Sequence, residues 1–397
     1  MNVAVYVDAH MYKTPDGKIW SKTIYSYNFW ERYLDVFDEV IIVARIKSAN
    51  YSEVEGFLEC SGERVAFAEL PFVQGAKEPW KYIYLIPISY LKIIKIVKSA
   101  DCGIVRLPSV YGFIVFRVLI RTKKPSAVEL VGNPRTVTND NKLLKKVLVM
   151  LTKNSAKKAN GVSYVTKNVL QAEYPSTASE KGGTVNYFES YYSSINLKNE
   201  YFSTPRNYIG HSEEYVIIHV ANHMNDDAKG HKVILDAVSQ LINKGYNLKI
   251  KFIGDGRKRP EFENYANTLG INDKVAFLGL LSSPDEVREQ LLCSDIFVFP
   301  SKAEGLPRSL IEAMAVGLPC ISSPVGGIPE LLEQDCLVPA TDVCGYANKL
   351  EFFLKNPILL NSMSKRNIDK AMEYRNDVLS ERRKEFYSKL RNIVKAI

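Results

Sequence analysis

FVFPSKAEGLPRSLIEAMAVGLPCISSPVGGIPE, residues 297 to 330, is the stretch from which the fold can be read. The apolar run from Asp295 to Phe299 reads as a buried strand that ends at Pro300 and Ser301. A turn follows from Lys302 to Gly305. Pro307 then takes a first helical position, and Leu310, Ile311, Ala313 and Met314 give that helix an apolar face. Gly317 and Pro319 stop it, Cys320 to Ser322 is the next strand, and Gly326-Gly327 opens a second helix over Ile328 to Leu332. Two strand-to-helix turns therefore lie side by side, with two helix N-termini at one sheet edge.

Such an edge suits an anion. Helix N-termini offer unpaired N–H groups and partial positive charge, and Gly305, Gly326 and Gly327 carry no side chain to keep a phosphate away. Glu304 lies on the turn and Glu312 eight residues on. At about 100° per residue, eight steps leave the two roughly 80° apart, so helix periodicity alone does not align them. They converge only if Glu304 is on the loop and Glu312 near the helix's exposed end, where both accept hydrogen bonds from hydroxyls. The stretch from Glu304 to Glu330 resembles, without a gap, the frame EGxPxxLxEAMAxGxPxxxxxxGGxPE of the family 4 glycosyltransferases, retaining enzymes of the GT-B fold. The resemblance implies that Glu304 faces a donor sugar, that Glu312 holds the nucleotide ribose, and that Gly305, Leu306, Pro307, Arg308, Gly326 and Gly327 line the donor. So many fixed positions make the match far more specific than a lone G-x-G-x-x-G.

With 397 residues the chain exceeds one typical core, so two domains are expected. Composition is that of an ordinary globular protein, 46% apolar and 24% charged. Met1 leads straight into NVAVYVD without a basic leader, and no uncharged apolar run is long enough to span a bilayer. The six cysteines form no C-x-x-C and mostly sit in apolar runs, as buried thiols in a reducing compartment do. A cytoplasmic location is expected. The net charge of +8 is uneven: residues 1–205 hold 27 Lys and Arg against 19 Asp and Glu, and residues 206–397 hold 25 of each. That asymmetry points to an anionic partner for the first half.

The first half alternates strands and helices, the pattern of a parallel sheet covered on both faces: strand Val3–Val7, helix Thr23–Val36, strands Glu39–Ala44 and Arg64–Leu70, helix Lys81–Ser99, strand Cys102–Arg106, helix Val110–Arg121, strand Ala127–Val131, helix Lys142–Ala159 and strand Val162–Val165. Ligands bind beyond the carboxyl ends of such strands, so His10, Gly17, Arg106, Ser109, Glu129 and Asn133 are the acceptor-side candidates. The family often carries a histidine after a middle strand; this chain reads IVRLPSVYG there, and His10 is the substitute candidate. Residues 91–98, 113–124 and 142–158 set lysines and arginines beside apolar residues. Together with the charge surplus they suggest docking of the first domain on an anionic membrane surface, the inner face of the cell membrane, where a lipid-linked acceptor would be presented. Residues 181–207 read as a last strand and a linker.

The second half restarts the pattern: strand Tyr215–Val220, helix Gly230–Asn243, strand Leu248–Ile253 ending in Gly254-Asp255-Gly256, helix Arg259–Leu269, strand Val275–Leu278 and helix Pro284–Leu292. No G-x-G-x-x-G follows its first strand, which disfavours a dinucleotide oxidoreductase. The family resemblance implies an arginine after that strand and a Lys-Gly pair at the helix start, both on the donor diphosphate. Lys229-Gly230 matches, the arginine position holds Asn222, and Arg308 is a substitute cation. Gly254 is counted with the donor-binding residues.

The expected architecture is GT-B: a basic acceptor-side Rossmann-like domain over residues 1–205, a facing donor-binding one over 206–372, and a helix over 373–397 crossing back to the first. The implied activity is retaining transfer of a hexose or related sugar from a nucleotide diphosphate-sugar to a hydroxyl on a glycan or lipid-linked acceptor, in bacterial surface-polysaccharide biosynthesis, with Glu304 and Lys229 catalytic. No Asp-x-Asp accompanies the donor motif, so no metal and no cofactor are expected. A nucleotide-sugar epimerase of the same fold and a non-catalytic nucleotide-sugar-binding protein stay open as alternatives. A nucleic-acid partner is not expected, since no RNA or DNA module accompanies the basic half.

Overall fold

The computed structural model describes residues 1–73, 81–136, 142–210 and 214–397. The chain divides into two compact units, Met1–Ser193 with Leu379–Ile397, and Ser194–Val378. The first break thus precedes the expected one after residue 205, and the last helix joins the first unit from Leu379. The intervening segment is poor in apolar periodicity because polar bonds fix it. Tyr201 donates to Asp285 (2.8 Å), Ser203 N–H to the Ala315 carbonyl (3.1 Å), and Arg206 Nε to the Val316 carbonyl (2.9 Å).

The first unit comprises β1 (Asn2–Lys13), β2 (Ile19–Ser21), α1 (Tyr27–Leu34), β3 (Glu39–Ser48), β4 (Leu58–Glu59), β5 (Val65–Leu70), α2 (Lys81–Ser99), β6 (Cys102–Leu107), α3 (Val110–Arg121), β7 (Ser126–Leu130), α4 (Lys142–Lys158), β8 (Gly161–Tyr164), α5 (Val169–Glu173), α6 (Thr177–Lys181) and β9 (Phe188–Tyr191). Its parallel strands run β5-β3-β1-β6-β7-β8-β9. β2 pairs antiparallel with the far end of β1, and β4 with β2, neither of which the alternating pattern foretold. His10 consequently lies inside β1, not on a loop after it. α2, α3 and α4 form one layer, with Ile93, Val97, Val115, Leu119, Leu148 and Ala156 packed on the sheet.

The second unit comprises β10 (Glu214–His223), α7 (His231–Asn243), β11 (Asn247–Asp255), α8 (Arg259–Thr268), β12 (Val275–Gly279), α9 (Pro284–Leu292), β13 (Ile296–Phe299), α10 (Arg308–Ala315), β14 (Cys320–Ser322), α11 (Val343–Leu354) and α12 (Pro357–Ala371). Its five strands are parallel in the order β12-β11-β10-β13-β14, a doubly wound sheet. Pro307 is the residue before α10, in an extended conformation, so the helix begins at Arg308. The expected second helix is a single 3-10 turn, Ile328–Glu330. Three residues leave no room for an α-helical hydrogen-bond ladder, and α10 alone supplies a helix N-terminus from this stretch.

The last helix, α13 (Asn376–Lys395), is anchored in the first unit by polar and aromatic contacts. The buried Glu129 carboxylate at the end of β7 accepts hydrogen bonds from Tyr387 (2.6 Å), Tyr192 (3.0 Å) and Tyr33 (3.3 Å) and pairs with buried Arg106. Phe386 meets Phe188 edge-on at 5.0 Å, and Lys384 pairs with Asp35 (3.2 Å). Burial alone would raise the Glu129 pKa. The Arg106 charge and the tyrosine hydroxyls outweigh it and hold the carboxyl below its ordinary range.

Removing one partner from a buried ion pair strands the other charge, which costs about 3–5 kcal/mol. Glu129→Ala should therefore lower unfolding stability by that amount, and Tyr387→Phe by about 1–2 kcal/mol, since three donors remain. Because the folded pKa is depressed, the Glu129 contribution is present above the ordinary carboxylate pKa and is lost as pH falls through the folded value. Denaturant titrations of the two variants at neutral and acid pH check this; the wild-type–Glu129→Ala difference should shrink at the acid end.

Candidate functional site

Four loops follow the carboxyl ends of β10, β11, β13 and β14, and backbone bonds tie each to a neighbour. Lys302 N–H donates to the Ala228 carbonyl (2.8 Å), Gly327 N–H to Gly305 (2.6 Å), Met224 N–H to Asp255 (2.9 Å) and Lys258 N–H to Met224 (2.9 Å). Two glycines make this packing feasible. A Cβ on Gly326, at φ +55°, would stand 2.2 Å from the Glu304 carbonyl oxygen, and one on Gly254, at φ +134°, 1.8 Å from that of Ala221. Sequence reasoning gave Gly326 to close phosphate approach; the structure uses its bare Cα to seat the loop that carries Glu304.

Glu304 is on the loop before α10, as expected, whereas Glu312 is in the middle of that helix and not near its exposed end. The Glu304 carboxylate accepts from Ser301 Oγ (2.7 Å) and forms an ion pair with Lys229 Nζ, the side chains being 12% and 29% exposed. Lys229 also lies over the Phe299 ring (5.6 Å) at the entrance to α7. Glu312, at mid-helix in α10, has no hydrogen-bond partner among the described residues. Burial raises its pKa, and Arg308 one turn earlier opposes the rise. A carboxylate without a protein partner is able to accept from hydroxyls brought by a ligand. Leu306 and Pro307 are buried between these groups in the chain. Asn222 and its neighbour His223 are exposed at the end of β10, in keeping with a place on the site's rim.

Two features here escaped the sequence. Arg257, on the loop after β11, donates from Nε to the Asn225 carbonyl (2.8 Å), so a second cation stands on the loop beside Asn222. Under the Lys229 loop, His219 and His231 meet edge to face (4.7 Å), fully buried. His219 donates from Nδ1 to the Val298 carbonyl (2.9 Å), while both nitrogens of His231 lack partners among the described residues. Burial lowers both pKa values, that of His231 to about 4, and the pair is a neutral floor to the loop.

The acceptor-side candidates of the first unit are dispersed. Arg106 and Glu129 are consumed in the buried network that holds α13, so neither lines an open site. Ser109, buried before α3, shares a hydrogen bond with Tyr6 (2.8 Å). Gly17 lies in the β1–β2 turn. Asn133 donates to Glu173 (2.8 Å) and accepts from Tyr174 (2.9 Å). His10 is half-buried against Phe72, donates from Nε2 to the Val73 carbonyl (2.8 Å), and has its pKa lowered by burial. Arg45 donates to the same carbonyl (2.9 Å) and to Asp8 (2.5 Å), which joins Asp8, His10 and Arg45 in a polar cluster that sequence spacing did not suggest.

The parallel sheets of the two units, with α13 returned to the first, define the GT-B fold. Over its full length the chain superimposes on the whole of sucrose-phosphate synthase from Thermosynechococcus elongatus (TM-score 0.69, 14% identity) and of Anabaena HepE in complex with UDP (TM-score 0.66, 15% identity). Residues 205–370 match the family model described as glycosyl transferases group 1. Among curated relatives, Protein CapJ of Staphylococcus aureus is 27% identical over 87% of this chain and 83% of its own. N-acetyl-alpha-D-glucosaminyl L-malate synthase of Bacillus anthracis is 30% identical over 45% of this chain and 47% of its own. The family match thus falls on the second unit, which carries Glu304 and Glu312.

Two outcomes are expected at the site. Gly326→Ala should disrupt the Glu304 loop at a cost of about 1–3 kcal/mol, read as a lowered melting temperature. Ligand binding that needs ionised Glu312 should fade as pH drops through its raised pKa, above the ordinary carboxylate range, and Glu312→Gln should flatten that profile in a calorimetric titration.

Proposed function

We propose that the protein transfers a hexose or related sugar, with retention of anomeric configuration, from a nucleotide diphosphate-sugar to a hydroxyl acceptor. The acceptor in this reading is a lipid-linked or growing oligosaccharide of a bacterial surface polysaccharide, met at the cytoplasmic face of the membrane. The observation that carries the proposal is the Glu304 carboxylate, fixed by Ser301 and Lys229 at the loop leading into α10, with Glu312 unpartnered eight residues on. Complexes of HepE with UDP and with UDP-glucose make uridine diphosphate sugars the first donors to try.

Departure of a nucleoside diphosphate builds negative charge on its oxygens and positive character on the sugar ring. Lys229, the α10 N-terminus and Arg308 answer the first. When the diphosphate draws Lys229 toward itself, Glu304 is released to accept from sugar hydroxyls and align the breaking bond. These positive groups take the part a divalent cation would play, so the proposal includes metal-independent transfer and no cofactor.

Glu304→Ala should lower kcat by more than about tenfold, roughly 1.4 kcal/mol of transition-state stabilisation, with the unfolding transition unchanged. Glu312→Gln should raise the donor KM first. Incubation with a panel of nucleotide sugars and hydroxyl acceptors, with and without EDTA, checks both. Transfer retained within tenfold by Glu304→Ala, or abolished by EDTA, counts against the reading.

A further inference from the structure

The three-helix layer of the first unit carries most of the chain's charge surplus. The sequences of α2, α3 and α4 contain twelve Lys and Arg and no Asp or Glu. Among the described residues none of Lys92, Lys95, Lys98, Lys145, Lys146 and Lys153 has an ion-pair partner. The layer is also apolar where a solvated surface would not be. Leu143 is 72% exposed, Leu91 66% and Met150 55%, and Ile88, Val147 and Val110 are exposed beside them.

These side chains are on the outer faces, since Ile93 and Val97 of α2 and Leu148, Thr152 and Ala156 of α4 take the inner ones. They are also gathered at one end. Ile88 and Leu91 are in the first half of α2, Val110 opens α3, and Leu143, Val147 and Met150 form an i, i+4, i+7 stripe on the first half of α4. α3 and α4 follow the neighbouring strands β6 and β7, and α2 follows β5 on the far side of β1 and β3 in the same parallel sheet, so all three helix starts come after the carboxyl ends of its strands. α3 touches both of its neighbours.

We propose that this layer is a docking face for an anionic lipid leaflet, the apolar helix starts entering the headgroup region and the lysines facing lipid phosphates. Charge complementarity selects that occupant. A nucleic acid would use the lysines and gain nothing from exposed Leu143, Leu91 and Met150. A protein partner would need a strongly acidic surface to match three helices without one carboxylate. The inference deepens the lipid-linked acceptor reading and rests on it only for its biological sense. Vesicle binding is measured without donor, acceptor or turnover, so either can fail alone.

The test is flotation of the full chain with vesicles of phosphatidylcholine alone or with one-third phosphatidylglycerol. Recovery should be at least about tenfold higher on the anionic vesicles and should fall with added salt. The Leu143→Ser/Met150→Ser variant keeps every charge, and its melting temperature reports folding. It should lose at least about tenfold in vesicle affinity, some 1.4 kcal/mol. Equal recovery on the two vesicle types overturns the proposal. So does full retention by the double variant, which would leave a general polyanion surface of the kind an RNA would bind.

Discussion

The carboxyl edge of the second sheet is arranged around one ion pair. Glu304, on the loop after β13, leans on Ser301, three residues back on that loop, and on Lys229 from the loop before α7. The ion pair is partly exposed, so solvent screens it and a diphosphate can compete for the lysine. Its geometry is nevertheless defined, because backbone hydrogen bonds join the loops of β10, β13 and β14 and Gly326 lets them close on one another. The neutral His219–His231 pair below adds no positive charge that would repel Lys229 from this arrangement.

The first unit uses charge in two opposite ways. Inside, Glu129 and Arg106 are desolvated together and satisfied by three tyrosines, so they act as a fastening for α13 and no longer as reactive groups. Outside, Lys92, Lys95 and Lys98 of α2 and Lys145, Lys146 and Lys153 of α4 have no carboxylate partner among the described residues. A buried pair gives a fixed join at the cost of dehydrating both ions; unpaired surface lysines leave the join to be made with something else.

Much of this was legible in the residues. The strand–helix alternation gave two parallel sheets, and the frame from Glu304 to Glu330 placed Glu304 on a loop and Glu312 on the helix that follows. What periodicity missed is local or long-range by nature. β2 and β4 are too short to show alternation, Pro307 sits one position ahead of the helix it was expected to begin, and Ile328–Glu330 is too brief for an α-helix. Arg106 and Glu129 were read as lining residues because strand ends are where ligands bind. Nothing in their own neighbourhood announces that Tyr387, at a separation of 258 residues, occupies the same spot. The segment joining the units read as a linker because its anchors are hydrogen bonds from Tyr201, Ser203 and Arg206, which leave no hydrophobic period.

The return of α13 also fixes an order of events during synthesis. The second unit is one uninterrupted stretch, Ser194–Val378, whereas the first is interrupted by it and needs Tyr387 to satisfy Glu129. Chain growth from the N-terminus therefore supplies every residue of the later unit before the last helix of the earlier one, which until then has a carboxylate short of a donor. A chain lacking the residues from Leu379 on would keep the unit bearing Glu304 whole and leave the other without the Tyr387 donor to Glu129.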